Sequence, residues 1–361
     1  MLRFMTGFGT VFQMRRSADR LGPRRLLTLD LGAGASKLVV LSRSQQNVRW
    51  EKALVLPPVD ENLTFGGQTL AAVLKAERLN REYASLLIST HGGLMRLMNF
   101  PGRPGEVATL QTQVRQALGV EDSFAVQLQV IQESVSASPP GGGKDEFSLL
   151  AAALPSDLVT RLGGWLQEAG LRPVSLRVAG VASANLVRQA PGLLQQEKAL
   201  GFLEIGADSS LLMLFHGTNL ALARQFKFGA AAIIETLRGA FEMDAETAGK
   251  LFVSGSIDFS TNIQSLTKAW LHQVGISLDF FERRHGRPVS GVYLFGGGAQ
   301  SKMVEGIIAD HVHRPVVRWE ALRVFDGLTP PAAGLGDAPV IMAPAVADAM
   351  SVMRGRNHHA L

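Results

Sequence analysis

The fold is decided by the stretch Leu27-Thr-Leu-Asp-Leu-Gly-Ala-Gly-Ala-Ser-Lys-Leu-Val-Val-Leu41, because it recurs as Gly201-Phe-Leu-Glu-Ile-Gly-Ala-Asp-Ser-Ser-Leu-Leu-Met-Leu-Phe215. Both stretches have the pattern of a strand, a turn of small residues and a second strand. At a constant offset Asp30 matches Glu204 and Gly32 matches Gly206. Two copies in register predict a chain built from two similar halves.

The chemistry of this turn suits a phosphate group. Small residues let the backbone bend tightly and expose successive N–H groups, which form a concave site for phosphate oxygens. A carboxylate beside phosphate requires a cation, so we predict Mg²⁺ held through water by Asp30 and Glu204, which are also the candidate catalytic residues. Lys37 supplies a point charge. The other predicted phosphate-binding residues are Gly32, Gly34, Ser36, Gly206 and Ser209. For one copy alone, an ordinary glycine-rich hairpin would be the simpler interpretation.

A third glycine-rich element follows the second hairpin. The stretch 290–299 is a predicted strand that ends in Gly296, Gly297 and Gly298, and a helix is predicted over 301–311. A glycine triplet at such a junction lets a flat nucleoside approach the backbone closely. By itself a triplet is also typical of a flexible turn, and its position after the second hairpin favours the nucleoside site.

In this order and spacing the motifs resemble those of the actin-like ATPase superfamily, and more closely the PilM family of type IV pilus assembly. Leu29–Leu38 is similar to the first phosphate motif of the family, and Ala223–Ala230 to its arginine and glycine segment. Ala245–Lys250 resembles the helix that places Glu246 and Lys250 beside the nucleoside, although an exposed i,i+4 ion pair is the plain alternative. The resemblance covers about residues 26–354 and implies an α/β, actin-like two-domain fold that binds ATP with Mg²⁺.

The resemblance also implies a domain organisation. Residues 1–25 form a basic N-terminal segment that is either amphipathic or disordered, and 26–199 form the first domain with an inserted α+β subdomain at about 94–176. The second domain spans 200–335 with an outer subdomain at about 239–275, and 336–361 hold a closing helix and a tail. In the PilM family a PilN-like inner-membrane protein docks its cytoplasmic N-terminal peptide beside the inserted subdomain, which implies a cytoplasmic scaffold at the inner membrane. Self-association is left open.

Three departures from the family pattern bear on ATP hydrolysis. Glu204 stands where aspartate is usual, Gln127 also replaces an aspartate, and Arg177–Ser183 lacks the acidic pair often seen before the helix of the first domain. Ser183 and Asn185, the candidates for orienting an attacking water, are poor general bases. We therefore expect nucleotide binding with slow or no hydrolysis. Two alternatives remain: a small-molecule or sugar kinase of the same superfamily, for which the sequence offers no evident carboxylate base, and an interaction module that binds no nucleotide.

Composition excludes several other classes. The 361 residues include no cysteine, which rules out disulfide scaffolds and thiolate metal sites. No stretch contains the ~18 consecutive apolar residues of a membrane span. The formal net charge is +5, and residues 1–25 carry six arginines against one aspartate. Because the rest of the chain is nearly neutral, we predict no nucleic-acid partner and leave open a peripheral membrane contact through residues 1–25.

Overall fold

The computed structural model of this chain describes residues 22–45, 47–79, 81–89, 93–101, 107–133, 146–194, 198–325, 327–331 and 338–354. Predictions for residues 1–21 and for the tail 355–361 lie outside the described residues.

Strands and helices alternate along the described residues. The strands are β1 (Arg25–Leu31), β2 (Ser36–Ser44), β3 (Asn47–Leu56), β4 (Thr64–Phe65), β5 (Gln68–Thr69), β6 (Tyr83–Ile88), β7 (Leu94–Pro101), β8 (Phe124–Glu133), β9 (Glu146–Pro155), β10 (Arg172–Val178), β11 (Ala199–Ile205), β12 (Ser210–His216), β13 (Asn219–Phe226), β14 (Val289–Phe295) and β15 (Val316–Arg318). The helices are α1 (Leu70–Ala76), α2 (Val107–Leu118), α3 (Ser156–Glu168), α4 (Ala179–Arg188), α5 (Pro191–Leu194), α6 (Ala230–Ala240), α7 (Ala245–Ser254), α8 (Ser260–His285), α9 (Lys302–Val312) and α10 (Ala343–Arg354).

Two five-stranded sheets share one topology, which confirms the predicted duplication. The first has the strand order β10-β6-β1-β2-β3 and the second β13-β12-β11-β14-β15. In each sheet the first strand pairs antiparallel with the hairpin partner and parallel with the strand on its other side. Asp30 lies opposite Lys37, and Glu204 lies opposite Leu211. The two hairpins therefore have the same register at the 174-residue offset that the sequence motif has.

Hydrophobic patterning explains why these strands pair. β1 and β11 are buried along nearly their whole length, as expected for central strands covered on both faces. One large core includes the first sheet, α10 and the side chains of Phe202 and Phe215 from the second sheet. A second core lies under the other face of the second sheet and includes buried residues of α6 to α9. The predicted outer subdomain, about 239–275, contains α7 and most of α8, whose buried residues belong to this second core.

A three-stranded antiparallel sheet with the order β7-β9-β8 follows β6. One face of this sheet packs on α2 through Leu110, Val114 and Phe147. The predicted inserted subdomain, about 94–176, also takes in α3 and the start of β10. In the structure the buried side chains of α3 join the core of the first sheet, and β10 pairs with β6. The separate sheet itself spans residues 94–155.

The closing helix α10 lies against α4 and β1. Its Asp348 is completely buried and accepts hydrogen bonds from Arg177 Nη1, at 2.7 Å, and from the Ser85 hydroxyl. A buried carboxylate is tolerated only when it is paired and hydrogen-bonded. This network fixes α10 to the first sheet. None of the helices in the described ranges has the length and apolar character needed to cross a membrane.

Candidate functional site

The tips of the two hairpins meet at one cavity of about 360 Å³. A Cβ atom on Gly34 would lie only 2.8 Å from the Cβ of Ala207, so the turns touch each other across the space between the halves. The carboxyl ends of β1, β6 and β10 point to this cavity, as do the ends of β11 and β14. Open α/β sheets place ligands at such strand ends, and the volume lies within the usual ~300–1,000 Å³ of ligand sites.

The first hairpin contributes a carboxylate with two partners. Asp30 is 2% exposed, and its Oδ2 lies 3.1 Å from Lys37 Nζ. The Ser89 hydroxyl donates a hydrogen bond of 2.6 Å to Asp30 Oδ1. Ser89 follows the end of β6, the parallel neighbour of β1, which places its side chain beside the end of β1. The negative charge of Asp30 is thus compensated within the first half.

The second hairpin contributes a carboxylate without a cationic partner of its own. Burial raises the pKa of Glu204 to about 7, and the nearby negative charge of Asp30 also raises it. The Ser183 hydroxyl and the Lys37 charge act in the opposite direction. Since Asp30 and Lys37 both affect Glu204, the carboxylates of the two halves face the same space. Two carboxylates in one enclosed site favour a proton or a cation between them.

Glycines in these turns are required by close backbone approaches. A Cβ on Gly32 would lie 2.6 Å from the Ala35 carbonyl oxygen and 2.7 Å from Lys37 Nζ. A Cβ on Gly206 would lie 2.9 Å from the Ser209 carbonyl oxygen. Gly296 has a φ of +88°, in the left-handed region that favours glycine. A larger side chain at these positions would displace the turn and fill part of the cradle.

One side of the cavity is apolar. Ile234 of α6, Phe252 and Val253 of α7, and Ile341 form this wall together with the glycine triplet. Such a surface suits a flat aromatic group, while the hairpins on the other side supply backbone N–H groups and Lys37. The cavity is therefore divided into an apolar part and a polar part that suits an anion.

The structure brings most of the predicted site residues to this cavity. Those that line it are Asp30, Gly32, Gly34, Lys37, Glu204, Gly206, Ser209, Gly296, Gly297 and Gly298. Ser36 is fully buried and is not among the lining residues. Glu246 and Lys250 form an ion pair of 2.6 Å with side chains 78% and 74% exposed, outside the wall, whereas Gly249 of the same helix lines the cavity. A contact of Ser36, Glu246 or Lys250 with a ligand stays a prediction.

None of the other residues connected with hydrolysis lines the cavity, although Ser183 lies close enough to Glu204 to lower its pKa. Gln127 is paired with Ala152 in the three-stranded sheet, so its amide belongs to that sheet rather than to the cavity. Ser183 and Asn185 are buried in α4. Sequence reasoning missed Ser89, although a polar residue directly after a buried strand beside β1 was an available signal.

The carboxylates suit a magnesium ion that is held mainly by water and phosphate. Among the described residues, no group of three or more histidine, aspartate or glutamate side chains is placed to hold a metal ion. Mg²⁺ commonly uses only one or two carboxylates together with waters and substrate phosphates. The uncompensated charge of Glu204 beside Asp30 is consistent with a cation at this position. The residues present thus fit Mg²⁺ bound together with a phosphate ligand.

Duplicated sheets with the same topology, each ending in a glycine-rich hairpin at a shared cavity, define an actin-like ATPase fold. Within this class, residues 126–322, more than half of the chain, match the family of type IV pilus assembly protein PilM. The chain belongs to the PilM family.

The chain is similar to several solved structures, of which the first supports this fold. A PilM-PilN type IV pilus biogenesis complex contains a chain with a TM-score of 0.71 and 19% identity, and the alignment covers 92% of this chain and 99% of that chain. A protein of actin-like ATPase fold and unknown function from Bacteroides thetaiotaomicron has a TM-score of 0.47 and 9% identity over 83% and 95% of the two chains. MreB5 of Spiroplasma citri bound to AMPPNP has a TM-score of 0.42 and 12% identity, over 83% of this chain and 93% of its own.

Proposed function

We propose that this chain is a cytoplasmic ATP-binding scaffold of type IV pilus assembly that docks the N-terminal cytoplasmic peptide of a PilN-like inner-membrane partner. The observation that carries the nucleotide part is the single cavity at which both hairpins and the glycine triplet meet. In this proposal the chain works at the inner membrane and is held there by its partner.

The chemistry of the cavity supports Mg·ATP as the ligand. Backbone N–H groups of the two turns and the Lys37 ammonium would hold the phosphates, while Asp30 and Glu204 would hold the magnesium ion through water. The ion would supply positive charge that neutralises both the carboxylates and the phosphates. The apolar wall formed by Phe252, Val253 and Ile341 would receive the adenine ring.

We propose that hydrolysis is slow because neither Asp30 nor Glu204 would be free to activate a water molecule. The Asp30 carboxylate is already bonded to Lys37 and Ser89. Cation binding would favour the charged form of Glu204, but that form would then be occupied as a metal ligand. Steady-state ATP turnover should therefore stay far below the roughly 1–100 s⁻¹ of kinases.

Partner docking is supported by the family and by the solved structure of the PilM-PilN complex. The relevant probe is a synthetic peptide with the cytoplasmic N-terminal sequence of the PilN-like protein encoded with this chain. We expect saturable binding with 1:1 stoichiometry by calorimetry, and no binding of a scrambled peptide of the same composition. Failure to bind the native peptide, or equal binding of both peptides, would contradict the docking proposal.

The nucleotide proposal is tested by thermal unfolding of the full chain with and without Mg·ATP. A ligand selective for the folded state raises the melting temperature by mass action, by ~2.7 kcal/mol of stability at one hundred times Kd. Gly206→Val should abolish this shift because its side chain would press on the Ser209 carbonyl. Gly306→Val is the matched control, since a Cβ there meets nothing within 4 Å.

Three outcomes separate the alternatives. No melting shift in the unsubstituted chain would favour an interaction module without nucleotide. Phosphate transfer from ATP to a hydroxyl compound would favour a kinase. A shift that survives in Gly206→Val would show that ATP binds somewhere other than between the hairpins.

A further inference from the structure

The edge of the first sheet opposite the cavity has a distinct composition. Strands β1, β6 and β10 are parallel and begin flush, with Leu26 and Arg172 both in register with Tyr83. They end at the cavity six residues later, so at about 3.3 Å per residue the two edges are separated by roughly 20 Å. We call the edge where these strands begin the basic edge. It also includes the adjoining ends of β2, β3 and α10.

Arginines cluster at one corner of the basic edge. Arg25 lies opposite Ser42, which in turn lies opposite Arg49. The backbone N–H of Arg43 donates a hydrogen bond of 2.7 Å to the Arg24 carbonyl. Arg24 and Arg49 are exposed, and Arg25 and Arg43 are partly exposed. Four guanidinium groups therefore come from three adjacent strand ends.

The basic edge continues across the starts of β6 and β10. Arg78 and Arg81 precede β6, and both are exposed. Arg172 is also exposed at the first position of β10, and its guanidinium carbon lies 5.7 Å from the centre of the Tyr83 ring. The backbone N–H of Arg172 donates to the Glu82 carbonyl at 2.8 Å, which holds the two strand starts together.

The described parts of both chain ends meet at this edge. The N–H of Gly22 donates to the Met353 carbonyl at 3.2 Å, and Arg43 Nη1 donates to the same carbonyl at 2.7 Å. Arg354 follows and is exposed. Residues 1–21, which carry four arginines and one aspartate, are therefore attached to the chain at the basic edge.

Acidic residues do not cancel this charge. Glu51 and Glu82 are both paired with Arg25. Burial alone would raise the pKa of Glu51, but hydrogen bonds from Ser42 and Arg25 and the charges of Arg25 and Arg49 outweigh it and lower the pKa. Glu168, at the end of α3, is the remaining acid beside this edge in the described stretches 22–26, 42–45, 47–51, 78–79, 81–83, 168–173 and 353–354. The same stretches contain eight arginines.

We propose that the basic edge is a docking surface for an anionic lipid bilayer. Each basic residue near an anionic surface contributes about 1 kcal/mol of attraction, and the positions above place several guanidinium groups on one edge. The attached segment combines its arginines with Phe4, Phe8 and Phe12, a composition suited to the headgroup and acyl boundary. This aromatic and basic mixture favours lipid over nucleic acid.

The proposal is independent of ATP binding, because the basic edge and the cavity lie at opposite ends of the sheet.

Flotation of the full chain with vesicles tests this proposal. Vesicles of phosphatidylcholine with about one third phosphatidylglycerol should bind the chain, and pure phosphatidylcholine vesicles should bind it much more weakly. Arg24→Glu with Arg49→Glu should reduce binding to the anionic vesicles at least thirty-fold, roughly the loss of two attractive charges. The matched control is Lys268→Glu with Arg283→Glu, which changes the net charge equally on exposed positions of α8. Melting temperatures of both double variants establish that they fold.

Several outcomes would overturn the lipid surface. Binding that is equal for neutral and anionic vesicles, or that both double variants reduce equally, would show that this edge is not the contact. A preference for RNA over anionic vesicles at the same ionic strength would assign the basic edge to nucleic acid instead. The triple variant Phe4→Ser, Phe8→Ser and Phe12→Ser provides a further test. These changes should weaken binding to vesicles, and they should leave the binding of free phosphate unaltered.

Discussion

The two five-stranded sheets have the same topology, yet the corresponding positions within them have opposite chemistry. In the first sheet Thr28, Ser85 and Ser175 are in register across three strands, and Ser85 bonds the buried Asp348. In the second sheet the positions matching Thr28 and Ser85 are Phe202 and Tyr293, which stack at 5.3 Å between ring centres. Strand pairing is therefore compatible with either a polar or an aromatic layer.

The hairpins show the same contrast. Asp30 of the first half is bonded to Lys37 and Ser89, while the residue opposite Glu204 is the apolar Leu211. The first half thus holds a compensated carboxylate and the second half an uncompensated one. The two halves share the backbone geometry of the hairpin and differ in the surroundings of their carboxylates.

The largest expected effect comes from the polar layer of the first sheet. Asp348→Ala leaves Arg177 buried without its carboxylate, and breaking such a pair typically costs about 3–5 kcal/mol. Chemical denaturation of the purified chain would measure this. Glu320→Ala is the control, since its pair with Arg323 is exposed and worth less than ~1 kcal/mol. Equal losses in the two variants would mean that the buried network is not what fixes α10.

Glu204→Gln tests the uncompensated carboxylate. Because the folded pKa of about 7 lies above the usual value of 4.5, the contribution of Glu204 to stability is greatest below pH 4.5 and is lost as the pH rises towards 7. In metal-free buffer at pH 8 the variant should be more stable than the unsubstituted chain, by on the order of 2–3 kcal/mol. At pH 4 the two should be equal.

Asp30→Asn is the matched change in the first half and should have the opposite sign. It removes the negative charge that strengthens two hydrogen bonds and replaces one of the two acceptor oxygens by an NH2 donor, so stability at pH 8 should fall by ~1–3 kcal/mol. If both substitutions stabilise the chain at pH 8, the carboxylates are equivalent and the contrast between the hairpins is wrong.

A smaller effect is expected on ATP affinity from Lys37→Ala. Loss of a charged hydrogen bond to phosphate should weaken binding about 10–100-fold by calorimetry. Lys52→Ala serves as the control, since Lys52 lies in the same sheet and pairs with Glu77. An unchanged Kd of Lys37→Ala for ATP would show that the first hairpin does not belong to the phosphate site.

The smallest effect concerns α7. Glu246→Ala should leave the melting temperature unchanged because its pair with Lys250 is exposed, and it should weaken ATP binding only several-fold if the pair reaches the nucleoside. Glu235→Ala, which removes a similar surface pair with Arg238, is the comparison. Identical ATP affinities in the two variants would show that Glu246 forms a surface ion pair only and does not contact the nucleoside.

The duplicated hairpins, the glycine triplet and the family could be predicted from the amino-acid sequence, because these depend on local patterns of small, apolar and acidic residues at fixed spacing. Only the tertiary structure decided that Ser89 bonds Asp30, that Asp348 is buried against Arg177, and that Glu246 and Lys250 lie outside the cavity wall. It alone also gathered the arginines of five strand ends and a helix end on one edge. Charge compensation and burial depend on residues far apart in the chain, and no local pattern encodes which of them will meet.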